Sequence, residues 1–282
     1  MDSKWFLLVE REPKKGSYNM AVDDYLFQSL GSEPETFVRF YSWENPTVSL
    51  GYSQDINKVL NEEFCWENNI EVVRRITGGK LVLHHKEVTY SICSTDKKAF
   101  SSSLSQSYKI ISKALIKGLK KLNIPAYLAD EDNPSYSRSS LPCFSYPARN
   151  EIKVKGQKIV GSAQKRVGSK FIQHGSIPLE RDDQLLQSVS LLKEKKEKIR
   201  MIAVSQAAKK KISYKLLVKY LISGIQDFFN IKLEPVEFTR KQNNFIRKIQ
   251  KKRHENKDWI YRKRIPHPIF SNSVDKPTLK EK

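Results

Sequence analysis

Between Val72 and Ile92 the chain reads VVRRITGGKLVLHHKEVTYSI, which sets two arginines, a Gly-Gly pair, a lysine and two adjacent histidines between short β-branched runs. Residues of these types at this spacing suit a nucleotide phosphate loop, a metal site, or a turn that brings a ligand close to backbone. A phosphate loop needs a glycine five residues before the Gly of its Gly-Lys pair and a Ser or Thr after the lysine, because backbone amides and that hydroxyl hold phosphate and Mg²⁺. Here those positions are Arg74 and Leu81, which removes that reading. His84 and His85 would face opposite sides of a strand and could not share one ion, so no metal site is expected. There remains a strand ending at Arg74 and Arg75, a Thr77-Gly78-Gly79 turn, and a second strand. Glycines admit a ligand to the backbone, and two arginines suit an anionic group.

Two further stretches carry polar or reactive side chains. EIKVKGQKIVGSAQKRV alternates about its Lys-Gly-Gln turn as a hairpin does, with Lys158 on the second arm and Gly161-Ser162-Ala163 where backbone can approach a ligand. The next strand, KFIQHGSIPL, holds His174, which either orients a substrate or ties two strands together. The three cysteines are an odd number without a CxxC pair, so neither a disulfide framework nor a cysteine zinc site is expected. Cys65 and Cys93 read as inert buried thiols. Cys143 lies in DEDNPSYSRSSLPCFSYPAR, a Ser-, Pro- and Asp-rich loop of the kind that carries function.

The elements that must position these groups alternate between strand and helix. WFLLVE and TFVRFYSW read as strands about a helix over SYNMAVDDYLFQSLG, with Ser17 as N-cap and Gly31 as stop. PTVSLGYSQ, EVVRRI, LVLHH and VTYSICS read as further strands, with a helix over INKVLNEEFCWENN. Ile111, Leu115, Leu119 and Leu122 recur at four, four and three, which makes an amphipathic helix with lysines outside. From about residue 182 to 254 the pattern is helical, and residues 265–282 read as a flexible tail. The sum is one α+β domain over residues 1–264, a mixed or antiparallel sheet packed with helices.

Composition bounds the setting. At 282 residues and 39% hydrophobic, the chain can bury a sizeable core. Its start, MDSKWFLLVEREPKKG, has no apolar signal-peptide core, and no run is long enough to span a membrane, so a cytoplasmic protein is expected. The net charge of +20 is uneven: residues 191–282 hold 25 of the 51 Lys and Arg but only 9 of the 31 Asp and Glu. Such a surface steers acidic partners. A nucleic-acid binder using this basic third is one reading, but the sequence has no RNP-type aromatic motif and no zinc-finger spacing.

RRITGGKLVLHHKEVTYS, GQKIVGSAQKR and IQHGSIPL, in that order and supported by NMAVDDYL and NPTVSLGYSQ, resemble the lipoate-protein ligase and octanoyltransferase family, related in fold to biotin protein ligases. The resemblance covers roughly residues 5 to 264. Thr77, Lys80, the Val82 to His85 run, Glu87 and Thr89 to Ser91 follow the cysteine-dependent octanoyltransferase branch rather than the ATP-dependent ligase branch. Leu81 stands where the family carries alanine, and either narrows the acyl pocket or repacks beside it.

That branch implies a nucleophile at Cys143, in a Cys-Phe pair fifteen residues before Lys158, although SYPARNEI departs from the pattern that usually follows. It implies octanoyl transfer from acyl carrier protein through a Cys143 thioester to a lysine of lipoyl domains, of 2-oxoacid dehydrogenases or the glycine cleavage H protein, with no cofactor. Lys158 would assist the thiol and the developing oxyanion. Arg74, Arg75, Thr77, Gly78, Gly79, His85, Gly161, Ser162, Ala163 and His174 would bind substrate. The alternative is a lipoate-protein ligase acting through lipoyl-AMP, which would require ATP and Mg²⁺ and leave Cys143 a bystander.

Overall fold

A computed structural model of the chain describes residues 3–129, 150–191, 201–264 and 275–279. Lys4–Val9 (β1) leads through the helix Gly16–Ser29 (α1) to Glu35–Tyr41 (β2), which lies parallel to β1 with Lys4 opposite Glu35 and Val9 opposite Phe40. Thr47–Leu50 (β3) is followed by two short helices, Ile56–Val59 (α2) and Glu62–Glu67 (α3), then by Glu71–Arg74 (β4), Val82–His84 (β5) and Glu87–Ser94 (β6). The long helix Leu104–Lys120 (α4) precedes Tyr127–Leu128 (β7), and the next described strands are Ile152–Val154 (β8), Gln157–Lys158 (β9), Gly161–Val167 (β10) and Lys170–Pro178 (β11). Asp183–Val189 (α5), Val204–Ala208 (α6), Tyr214–Phe229 (α7), Glu234–Glu237 (β12), Arg240–Ile249 (α8), a π-helical turn over Gln250–His254, Lys257–Arg262 (α9) and Thr278–Leu279 (β13) complete the described chain.

The expected α+β architecture with a mixed sheet is present. A seven-stranded sheet has the order β10-β11-β6-β2-β1-β12-β13, parallel at β2-β1-β12 and antiparallel elsewhere. A smaller sheet, β4-β3-β5, stands apart from it. Alternation along the large sheet splits the core between its faces: Phe37, Cys93 and Ile172 join one apolar cluster, while their neighbours Val38, Ile92 and Phe171 join another with α4 and α7. The predicted stripe Ile111, Leu115 and Leu119 is buried there, and Leu122, just past the end of α4, is buried with it.

Three features depart from the sequence expectations, each through long-range pairing. The start of α1 is capped by Glu71 of β4 rather than by Ser17, the carboxylate accepting from the Gly16 and Ser17 amides at 2.7 Å each. The helical run after residue 182 is broken by β12, whose EPVE sequence has no strand pattern but pairs in parallel with Phe6 and Leu7. Residues 275–279, placed by sequence in the tail, add β13 to β12, and Lys276 pairs with Glu35 at 2.7 Å. By contrast the Lys158 hairpin follows its turn chemistry: Lys155 and Gly156 both have left-handed φ, 50° and 77°, as a tight two-residue hairpin turn requires.

Candidate active site

A cleft opens where the small sheet meets the β10 edge of the large one. Tyr41 of β2, Ser49 of β3, Val82 and His84 of β5, Thr89 of β6, Gly161 to Ala163 of β10 and His174 to Ser176 of β11 line it, with Met20, Trp43 and Arg75. It encloses about 340 Å³ including its open mouth, at the small end of the range for a small-molecule pocket. At one wall Trp43 stacks on His84, ring centroids 3.9 Å apart and 14° from parallel. His84 Nδ1 donates to Glu87 Oε1 at 2.8 Å, so its Nε2 accepts from the Ser49 hydroxyl at 2.6 Å. Glu87 also accepts from Thr89 and Ser176. Burial opposes its ionisation, but His84 and these hydroxyls outweigh that and hold its pKa below the usual value.

A second buried chain ties the glycine turn to α1. His174 Nδ1 donates to Asp23 Oδ2 at 2.9 Å, and Nε2 accepts from the Thr77 hydroxyl at 2.6 Å. Burial favours the neutral imidazole and lowers the His174 pKa, and the Asp23 carboxylate, which can only accept, places the remaining proton on Nδ1. Asp23 further accepts from Arg39 at 2.7 Å, Ser91 at 2.8 Å and Tyr41 at 2.9 Å. Its burial would raise the carboxyl pKa, yet Arg39 and His174 together bring it down to about 2. His174 thus bonds β11 to α1 and to the glycine turn rather than to a second strand, and one edge of its ring lies on the cleft wall.

The two arginines are engaged differently from what their charge suggests. Arg74 is fully buried, and its guanidinium donates to the carbonyls of Gly51, Tyr52, Gln54 and Ile260 at 2.7 to 3.2 Å. Arg75 donates to the Ser49 carbonyl and hydroxyl and to the Gly78 and Lys80 carbonyls at 2.7 to 3.0 Å. These contacts build the turn: Arg75 staples both flanks of Gly79, while Arg74 binds the neighbouring 51–54 loop to α9. Gly79 has φ +94°, and a side chain there would press on Arg75 and on Ala163 of β10. A Cβ on Gly51 would sit 1.9 Å from the Gly79 carbonyl oxygen, so that contact requires glycine.

Of the residues singled out by sequence, Arg75, Gly161, Ser162, Ala163 and His174 meet at the cleft, with Thr77, Gly78 and Gly79 beside it. Arg74 stands behind the turn. His85, just past the end of β5, points away from His84, toward Asp182 at 3.3 Å in a separate hollow that Leu81 also lines. Leu81 is thus packed in the core beside the cleft rather than in it. Lys158 is fully buried, its ammonium 2.5 Å from Glu151 Oε1. Cys143 lies outside the described residues, and Glu151 follows it by eight positions. Asp23, Ser49, His84, Glu87 and Glu151 were not singled out as functional. The DD pair inside an otherwise apolar helical stretch was a usable signal for Asp23, since a buried acid needs a partner.

Comparison with known proteins identifies the family. The model of the lipoyl protein ligase A/B catalytic domain matches residues 15–226. An octanoyltransferase LipM of Bacillus anthracis is 36% identical over 264 residues, 88% of this chain and 94% of that protein. The LipM of Bacillus subtilis (strain 168) is 31% identical over 279 residues, 93% and 100% of the two chains. A crystal structure of lipoate-protein ligase A bound with ATP superposes with a TM-score of 0.78 at 20% identity, covering 92% of this chain and 98% of that one, which shows a shared fold. The chain therefore belongs to the lipoyl protein ligase A/B catalytic-domain family.

Proposed function

We propose that the protein is an octanoyltransferase that moves an octanoyl group from a carrier-protein thioester, through a thioester on Cys143, to the ε-amine of a lysine on a lipoyl domain. The Cys143 thiolate attacks the donor carbonyl, the new C–S bond replaces the old one, and the carrier thiol leaves with a proton. The neutral acceptor amine then attacks the acyl-enzyme, a C–N bond forms, and the enzyme thiol is regenerated. Exchange of one thioester for another is close to balanced and amide formation is downhill, so neither step requires ATP.

The observation that carries this reading over the ligase alternative is the state of the two arginines. Arg75 is engaged with main-chain carbonyls of the glycine turn and Arg74 with those of the 51–54 loop and α9, whereas the ligase reading would set Arg74, the Thr77-Gly78-Gly79 turn and Lys158 on an adenylate phosphate. The likeness to the Bacillus octanoyltransferases and the Cys143-Phe144 pair point the same way. The apolar cleft takes the acyl chain, and the backbone of Gly161 to Ala163 runs beside it. A cytoplasmic setting, which keeps a reactive thiol reduced, suits the chemistry. Among the described residues no helix is long and apolar enough to cross a membrane. With octanoyl carrier protein and an apo lipoyl domain, product should accumulate at an undiminished rate when ATP is withheld. Lipoylation that appears only with free lipoate plus ATP would favour the ligase.

Lys158 serves in this reading as a positioned N–H donor for the carbonyl oxygen, since Glu151 balances its charge. Lys158→Met should remove activity and also leave the Glu151 carboxylate buried without the ammonium, at a cost of about 3–5 kcal/mol. Combining it with Glu151→Gln should restore much of the thermal stability but not the turnover. Recovery of turnover in the double variant would show that Lys158 acts only on the fold.

A further inference from the structure

The cleft mouth is bordered by a surface that the transfer chemistry does not use. Gly79 is exposed at that mouth, and the Thr77 carbonyl beside it accepts from the Tyr52 amide at 2.8 Å. Tyr52 is 45% exposed, and its ring lies 5.9 Å from Trp259 of α9. Two hydrogen bonds fix α9 to the glycine turn's own strand: Trp259 Nε1 donates to the Arg74 carbonyl at 3.0 Å, and Arg74 Nε donates to the Ile260 carbonyl at 2.7 Å. From this anchor Tyr261, Arg262, Lys263 and Arg264 all project into solvent. Glu62 on α3 faces the Tyr261 hydroxyl and, after burial, raises its pKa, and one turn along that face Trp66 is 82% exposed.

Both halves of this surface are unusual for a face with no partner. Residues 240–264 hold eleven Lys and Arg against Glu255 and Asp258 as the only acids. The π-helical turn directs Arg253 inward to Asp24 and keeps Lys251 and Lys252 outside. Concentrating like charge costs stability through self-repulsion unless something neutralises it. Exposed Trp, Tyr and Arg together are the residues that dominate protein interfaces. The exposed ion pair of Arg262 with Asp258 is weak enough to be exchanged for an incoming carboxylate.

We propose that the face built from α9, the π-helical turn and the rings of Tyr52, Tyr261 and Trp66 docks the acidic carrier protein that delivers the acyl thioester. This rests on the acyl-transfer reading above. Charge complementarity selects an acidic protein, the aromatic rings give it an apolar anchor, and adjacency to Gly79 places its thioester arm at the cleft. A nucleic acid would match the charge alone and has no need to lie beside an acyl cleft.

The test compares wild type with Arg262→Glu/Arg264→Glu and with Trp66→Ala. Binding of octanoyl carrier protein is followed by fluorescence anisotropy over a salt series, and acyl-enzyme formation is followed from that carrier and from octanoyl-N-acetylcysteamine, which has no protein to dock. The expected result is carrier binding weakened by about tenfold or more with a shallower salt dependence, and small-thioester acylation unchanged. Equal carrier binding by all three proteins overturns the proposal, and so does equal loss with both donors. Weakening confined to an apo lipoyl domain, or wild-type affinity for duplex DNA exceeding that for the carrier, overturns it as well. If wild type binds the carrier through this face yet is acylated by neither donor, the docking surface stands and the transfer reading falls.

Discussion

Replacing Cys143 with alanine should lower octanoyl transfer from a thioester donor by about 10³-fold or more, because the covalent route disappears while cleft and turn persist. Neither of the other cysteines can take over. Burial pushes the Cys65 thiol up to about 11, and Cys93, fully buried near the end of β6, is raised well above the ordinary thiol value. A thiol in that state supplies almost no thiolate at neutral pH. Steady-state transfer to an apo lipoyl domain, with thermal unfolding of the variant as a control for folding, checks the effect. A Cys143→Ala enzyme with near wild-type turnover would move the nucleophile elsewhere.

Asp23→Ala should be among the most destabilising single substitutions, costing about 3–5 kcal/mol, which for a chain of this length lowers Tm by roughly 10 °C. Its carboxylate is the shared acceptor of Arg39, Ser91, Tyr41 and His174, all buried. Removing it leaves Arg39 with Glu10, at 2.5 Å, as its remaining carboxylate partner, and strips the His174 Nδ1–H of its acceptor. The same site sets an acid limit on stability. Asp23 is held at about 2 when folded against an ordinary value of 3.8, so its contribution is complete above about pH 4 and fades as pH falls toward 2. Wild type and Asp23→Asn should therefore differ most in Tm near neutrality and converge in acid, and a gap that widens on acidification would contradict the assignment.

The parts of the site written in local pattern were legible before any coordinates. The Thr77-Gly78-Gly79 turn needs glycine at Gly79, the Lys158 hairpin needs left-handed backbone at Lys155 and Gly156, and β11 alternates about His174. Each signal lies within a few residues of the group it positions. What escaped the sequence depends on partners far along the chain. The Asp23 and His174 contact spans 151 positions, the Glu71 cap on α1 spans 55, and Arg74 meets Ile260 across 186. Charge alone does not reveal the carbonyl contacts of the arginines: most of the Arg74 guanidinium donors meet four main-chain carbonyls distant in sequence. Strand β12 was hidden because its glutamates and proline give no alternation, and its pairing is imposed by β1.

The most direct measurement of the central claim is the intact mass of the wild-type protein after brief incubation with octanoyl carrier protein in the absence of ATP, quenched in acid and mapped by peptide. The account predicts one octanoyl adduct, located on the Cys143 peptide, that disappears when apo lipoyl domain is added before the quench. An unmodified enzyme that instead forms a tightly held acyl-adenylate from free acid and ATP would contradict it.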